Sequence, residues 1–519
     1  MHGFVQKPNL PDFLMVVALL FCSLKADAQS VVYPRILYQV GGSASESALG
    51  IALDSNTNIY LLGTFASTTT INGTTLTNST GWPDMLLIKY RFSPPVPHWT
   101  KAPVTDYTVA NARIGCDAKG DNFVAGNFGG TNIMFGTAIL TNYSSDYSDD
   151  IFLAGYDTSG NLKHLNQLGG AGEDALGDMT TDTNGNVFLT GVFLSSTFSA
   201  GNSNLTRQSA GGGDCFTAKY DVNGNLNWLE QGSNARGNCV AVDSATNCYV
   251  GGFASGTSLF DGLNPSNPAT TNFLAKYSST GALLWVRGDL TIGNFIKLDS
   301  SQNIYTAGTF SNSVQFGSLT LTNNAASTIF VAKYDSNGNA LWARQLPGLG
   351  SDVATGLTVD SHTNCWVTGY YAGLNSPSNT VAVIAQLSSS GNLDAVSQIS
   401  STPSTAAGVA SFAGPKGPAV YACGSYATNI TFYERSLTNG GNTDIFYAWL
   451  LSPPPLAAAT SGTNFVCSWP NTDTNLVLET SSDLSSWSAV TNHVATANGQ
   501  NIVSNSITGS AGYFRLRLQ

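Results

Sequence analysis

Short alternating runs of hydrophobic and polar residues recur along this chain, separated by turns, and the runs themselves repeat. One segment returns as LDSNTNIYLLGTF (53–65), CDAKGDNFVAGNF (116–128), TDTNGNVFLTGVF (181–193), VDSATNCYVGGF (242–253), LDSSQNIYTAGTF (298–310) and VDSHTNCWVTGYY (359–371). A seventh, shorter copy is AVYACGSY (419–426). In six copies an Asp opens a turn and an aromatic follows six residues later. Gly63, Gly126, Gly191, Gly252, Gly308, Gly369 and Gly424 anchor the copies, 55 to 65 residues apart. Self-similarity at a fixed period signals a stack of equivalent structural units.

A second segment follows each copy: DMLLIKY (84–90), DIFLAGY (150–156), DCFTAKY (214–220), TNFLAKY (271–277), TIFVAKY (328–334), VAVIAQL (381–387) and DIFYAWL (444–450). It leads into turns such as DVNGNLNW (221–228), where Asn-Gly between apolar runs signals a tight hairpin. Each unit therefore holds four antiparallel strands, the first ending at the repeat Asp and the fourth carrying a Trp. A four-stranded unit of this length is a propeller blade. Blade 7 runs into Ser452-Pro453-Pro454-Pro455 without a fourth strand, whereas RILYQVGG (35–42) looks like a fourth strand with no blade of its own. The expected fold is all-β, a seven-bladed β-propeller closed by the N-terminal strand, with a small C-terminal β-sandwich-like domain. Its boundaries are 1–28 for a signal peptide, 31–452 for the propeller, 453–461 for a Pro/Ala-rich linker and 462–519 for the C-terminal domain.

These units resemble the bacterial seven-bladed β-propeller repeat family, whose pattern is D-x-x-G-N-x-Y-V-x-G-x-F followed by D-I-F-V-A-K-Y-D-x-x-G-x-x-x-W. The resemblance covers roughly residues 35–452 and implies a secreted or surface scaffold of no single activity. Blade 6 lacks the Lys and Trp, and blade 7 lacks the first-turn Asp. The segment after Pro455 is similar to a short fibronectin type III-like module of secreted bacterial proteins.

Composition narrows the setting. Charged residues are only 10%, so the 54 glycines and abundant Ser, Thr and Asn must supply the turns and polar surface. Lys7, the apolar run Phe13 to Leu24 and Ala26-Asp27-Ala28 read as a signal peptide with its cleavage site. The apolar run is too short to span a bilayer, which takes about 20 residues. Removing residues 1–28 takes away Lys7 and Lys25 together with Asp12 and Asp27, so the net charge stays at −11. An acidic surface repels phosphate backbones and anionic lipids, which excludes nucleic acid and membrane insertion. Seven cysteines remain, with no C-x-x-C pair, and read as small buried hydrophobes. Only Cys239 and Cys248 could face each other across a hairpin.

Candidate chemistry is sparse. Glu46, Asp174 and Asp352 share one register, eight residues before the repeat Asp of blades 1, 3 and 6. If those first strands line the channel, the three carboxylates form a candidate ligand site at its mouth, for a cation or a sugar hydroxyl. The plainer account is that each caps backbone N–H groups at a strand start. The repeat Asp and the D-x-N-G-N turns lack the distal Glu of a calcium loop and read as turn chemistry. Acidic YSSDYSDD (143–150), with Asp146, Asp149 and Asp150, reads as a solvated loop. The recurring lysines Lys89, Lys219, Lys276 and Lys333 read as structural, and Trp228, Trp285 and Trp342 as packing between blades. His164 stands in the Trp slot as a substitute.

No histidine has a Cys or Ser partner in a recognisable motif, so no catalytic residue is assigned and no cofactor is expected. The sequence therefore points to a secreted or cell-surface binding scaffold, a monomer presenting loops such as 66–83 and 129–149 to a glycan or protein ligand. The competing expectation is a propeller enzyme, either a polysaccharide hydrolase or lyase or a quinone-dependent dehydrogenase. The blade turns match neither the quinone-propeller spacing nor the sialidase Asp box.

Overall fold

The computed structural model describes residues 33–518, apart from 72, 79, 92–96, 108, 146, 266–271, 347, 349, 374–375, 400–402, 415–416, 433–434, 452–456, 462–463, 471–475, 482–487, 491–492, 499 and 507–512. Residues 1–28, expected to be a signal peptide, lie outside the described residues. The chain is all-β, and no helix among the described residues is long and apolar enough to cross a membrane.

Each repeat folds as an antiparallel sheet whose strands follow chain order. Unit 1 consists of Glu46–Leu53, Ile59–Phe65, Asp84–Tyr90 and Pro97–Lys101. The first segment of the repeat ends in the second strand, and the D-I-F-x-A-K-Y segment is the third. The first strands of successive units lie side by side, from Glu46–Leu53 through Val109–Cys116 and Asp174–Thr181 to Ser404–Gly414, which again touches Glu46–Leu53. Unit 7 is built from Ser404–Gly414, Gly417–Tyr426 and Asp444–Leu451 with Tyr33–Val40 along its outer edge. That pairing is antiparallel, with Leu37 opposite Ala448 and Val40 opposite Ile445. Units 3 and 4 share the strand Leu226–Val242, whose register breaks at Ser233/Ala235, beside Asn234 with φ of 50°.

The core is divided between the units. Phe123, Leu189 and Phe216 pack across the seam of units 2 and 3, and Val250, Phe188 and Trp228 across that of units 3 and 4. A corresponding cluster joins unit 7 to unit 1 through Tyr421, Tyr447, Ile51 and Leu61. Burial of this kind holds neighbours together roughly in proportion to the apolar area removed from water.

Local chemistry explains why the repeat looks as it does. The anchoring glycines are selected by space. A Cβ on Gly191 would stand 2.1 Å from the Ala175 carbonyl oxygen, and one on Gly424 2.1 Å from that of Thr405. The first strand bulges opposite these glycines, as between Leu176 and Asp178, and pushes its backbone against them. The repeat Asp closes its own turn: Asp54 Oδ1 accepts the Asn56 and Asn58 N–H groups at 2.9 Å, and Oδ2 accepts the Asn58 amide. Asp335 does the same for Asn337 and Asn339 in the hairpin before the fourth strand.

Lysine and tryptophan act across the sheet and across the seam. Lys333 pairs with Trp342 on the next strand, lies 4.6 Å over the Tyr305 ring and reaches Asp299 at 3.2 Å. Trp228 donates its indole N–H to the Ser279 carbonyl of the next unit at 3.2 Å. Trp99 and Trp342 do likewise to Thr158 and Ser389. His164 fills that slot in unit 2, where its ring lies 2.5 Å from a Cβ built on Gly224.

Two features, the loops and the cysteines, differ from the sequence-based picture. The stretches expected as long loops contain hairpins, such as Thr69–Ile71 with Thr74–Leu76 and Asn132–Phe135 with Ala138–Thr141. Cys239 and Cys248 are buried and unbonded, because register places Cys239 opposite Gly251 and Cys248 opposite Val242. The C-terminal segment forms two small antiparallel sheets, one centred on Asn464–Pro470 with Gln500–Ser506, the other on Leu476–Ser481 with Tyr513–Leu518.

Candidate functional site

The three carboxylates singled out from the sequence lie inside the seams between units. Glu46, Asp174 and Asp352 are all fully buried. Asp174 Oδ2 accepts the Ser195 hydroxyl at 2.6 Å, and its Oδ1 accepts the Leu194 and Ser195 N–H groups at 3.1 and 3.2 Å. Glu46 takes one N–H, from Gly42 at 3.3 Å. Asp352 makes no hydrogen bond of normal geometry through either oxygen, and burial pushes its carboxyl up to about 6. The structure brings each one next to the third strand of the preceding unit and does not gather them into one pocket.

The inner strands border an open pocket of about 290 Å³ at the end where they reach the repeat Asp, lined by Ile51, Ile114, Met179, Thr181, Lys297 and Ser411. Farther along, Arg113 of unit 2 pairs with Asp178 of unit 3 at 3.2 Å, and Asp178 accepts the Val240 N–H of unit 4. These contacts tie the inner strands to one another. No group of three or more His, Cys, Asp or Glu is arranged to hold a metal ion among the described residues.

Surface chemistry concentrates where units 1, 2 and 3 meet. Trp82 follows a turn that Asn78 builds by accepting the Thr80 and Gly81 N–H groups at 3.1 and 3.3 Å and donating to the Trp82 carbonyl. Tyr107 sits between units 1 and 2, on a segment whose strand Val104–Thr105 pairs with the unit 2 hairpin. Asp106 holds that segment in place by accepting the Thr131 and Asn132 N–H groups at 3.0 and 3.3 Å. The rings of Trp82 and Tyr107 meet with centroids 4.8 Å apart, yet stay 42% and 37% exposed. A cross-unit aromatic pair left this open is an apolar surface without a partner.

Acidic groups border the pair. A point at Gly129, where a Cβ would stand, is 3.0 Å from Tyr107 Cδ1, 2.5 Å from Asp149 Oδ1 and 3.3 Å from the Tyr147 carbonyl. Glu173 of unit 3 accepts the Asp149 N–H at 3.2 Å. Burial, with the Glu173 charge second, pushes the Asp149 carboxyl up to about 6. Tyr147 is 63% exposed and holds φ of 68°, a backbone conformation rare for a bulky residue. The arrangement offers flat π surfaces beside two carboxylate acceptors, which suits sugar rings and other hydroxyl-rich or cationic groups.

Sequence reasoning found part of this face. Trp82 belongs to the loop 66–83, and Asp149 to the acidic run 143–150, which was expected to be solvated. Asp150 of that run is instead fully buried, where Gln167 Nε2 donates to its Oδ2 at 2.7 Å. Asp146 lies outside the described residues. Tyr107 carries no sequence signal, because only the docking of its segment on the unit 2 hairpin brings it to Trp82.

Comparison with known proteins finds distant similarities. The chain is 23% identical over 436 residues to an uncharacterized WD repeat-containing protein of Acanthamoeba polyphaga mimivirus, a match covering 64% of this chain. It spans 31% of that relative's length. Similar solved structures include the Dos1 propeller, at TM-score 0.38 and 8% identity over 80% of this chain and 95% of that one. The C-terminal WD40 domain of Sif2 matches at TM-score 0.38 and 7% identity, over 80% and 99%. No family model matches the chain. The protein is thus similar to WD-repeat and other β-propeller proteins, and the similarity concerns the fold.

Proposed function

We propose that this protein is a secreted or cell-surface, non-enzymatic binding scaffold that presents the Trp82–Tyr107 face to an extracellular glycan. In this account the seven four-stranded units are blades of one closed propeller. The N-terminal strand completes the last blade, and residues 462–519 form a separate β-domain. The pairing of Leu37 with Ala448 and the hydrophobic cluster joining unit 7 to unit 1 support closure. The signal-like segment at residues 1–28 supports export.

The exposed Trp82–Tyr107 pair beside Asp149 is the observation that carries the binding role. Rigid aromatic anchors held on a scaffold and flanked by hydrogen-bond acceptors bind at low entropic cost. A glycan array probed with the purified mature protein tests this, with product analysis on any retained polysaccharide. Capture without chain cleavage is the expected result. Depolymerisation, or quinone-coupled oxidation of an alcohol, overturns the non-enzymatic role, and silence on glycans with capture of a protein transfers the face to a protein ligand.

A further inference from the structure

The seam between unit 7 and unit 1 contains three buried side-chain oxygens without a hydrogen-bond partner of normal geometry. Asp444 opens the third strand of unit 7 and is fully buried. Its Oδ2 accepts the Gln39 amide at 2.7 Å and the Gly440 N–H at 2.6 Å, while its Oδ1 has no hydrogen-bond partner. Glu46 opens the first strand of unit 1, and its Oε1 is likewise without a partner. The third oxygen is Thr69 Oγ1, on the hairpin of unit 1. Thr69 is 1% exposed, and its hydroxyl borders the Glu46 carboxylate without making a hydrogen bond of normal geometry.

Two consecutive glycines let these side chains press directly against the backbone. A Cβ on Gly41 would stand 2.3 Å from Asp444 Oδ1 and 2.9 Å from Glu46 Oε2, and one on Gly42 2.6 Å from Thr69 Oγ1. The seam between units 2 and 3 is built to the same plan, with Gln167 donating to Asp150 and with Gly169 and Gly170 in the glycine positions. There the acid of the following unit, Asp174, receives three donors from Leu194 and Ser195. Glu46 receives one, from Gly42. The unit 7–unit 1 seam therefore holds two facing carboxylates and a hydroxyl with a deficit of positive charge.

We propose that Glu46, Asp444 and Thr69 bind one calcium ion that bridges unit 7 to unit 1. Every donor is an oxygen, which selects a hard cation. Calcium takes 6–8 oxygens in irregular geometry, so water completes the shell, whereas magnesium demands near-ideal octahedral placement. Burial raises the proton affinity of both carboxyls; Asp444 adds to the rise at Glu46, whereas the Glu46 contact lowers it at Asp444. A shared proton would relieve the same deficit, and the test must tell the two apart.

Thermal unfolding of the mature protein at pH 8, in EGTA and then in excess calcium or magnesium, makes the distinction. Calcium is expected to raise the midpoint by several degrees and magnesium by less, with one ion bound per chain by calorimetric titration. Glu46→Gln is expected to abolish the response, and Thr69→Val to weaken calcium binding. Asp150→Asn, at the other seam, should keep the response. Equal midpoints in EGTA and calcium overturn the proposal, as does a calcium response that survives in Glu46→Gln. A wild-type midpoint at pH 8 that is indifferent to calcium, yet raised by Glu46→Gln, identifies the shared proton instead and also overturns it.

Discussion

Gln39 donates its side-chain amide to Asp444 Oδ2 at 2.7 Å, although 405 positions of sequence separate the two residues. The contact belongs to the pairing of Tyr33–Val40 with Asp444–Leu451, through which the start of the described chain completes a sheet begun near residue 404. Deleting residues through Gln39 removes both the edge strand and this lock, leaving the Ile445–Leu450 edge open to solvent and to other chains. The expected result is a marked fall in the thermal midpoint and a greater tendency to aggregate. Gln39→Ala alone should cost about 1 kcal/mol, because Gly440 still donates to the same oxygen. Calorimetry on the three proteins checks the order wild type, Gln39→Ala, deletion.

Stability should rise as the medium is acidified from pH 8 to about 5. The seam carboxyls are raised above their unfolded value of 3.8, to about 7 for Asp150 and about 6 for Asp352, chiefly by burial. A raised acid contributes stability that is fully present below 3.8 and is lost as pH climbs through its folded value. Turn acids such as Asp157, Asp221 and Asp335 act oppositely, since hydrogen bonds from Asn hold them low and their contribution is lost only in stronger acid. Thermal midpoints measured between pH 4.5 and 8 test this. Asp150→Asn should raise the midpoint at pH 8 and flatten the profile between about 4 and 7.

The turn before each fourth strand is another place where one added methyl group does harm. Gly281 of unit 4 has φ of 94° and packs on Trp228 of unit 3, where a Cβ would stand 2.8 Å from the indole. Gly281→Ala meets both the backbone penalty and the ring, and should destabilise by roughly 1–3 kcal/mol. Gly262→Ala is the control: its φ is 77°, but nothing lies within 4 Å of the added methyl. Urea denaturation of both variants separates the clash from the strain shared by the two.

Much of the fold was legible because it is written in local chemistry. The Asp turns, the Asn-Gly hairpins and the Trp of the fourth strand all act within a few residues of themselves or on one neighbouring turn, and they repeat. His164 in the Trp slot was readable for the same reason, and it lies against Gly224 as the tryptophans lie against their own glycines. What the sequence withheld depends on the seams. Glu46 and Asp174 occupy the same register, yet one is left with a single backbone donor and the other receives three donors from Leu194 and Ser195. Register could align these acids but could not say that neighbouring units bury them. Tyr107 was silent since its meeting with Trp82 is set by how one connecting segment docks on a hairpin of the next unit.

The binding face is most directly tested by a double variant, Trp82→Ala/Tyr107→Ala, compared with wild type on whichever glycan the array selects. Both rings are exposed, so the variant should unfold at nearly the wild-type temperature. The account predicts that its affinity falls roughly tenfold or more, as expected when aromatic anchors of a binding site are removed. Unchanged affinity in a properly folded double variant would contradict it.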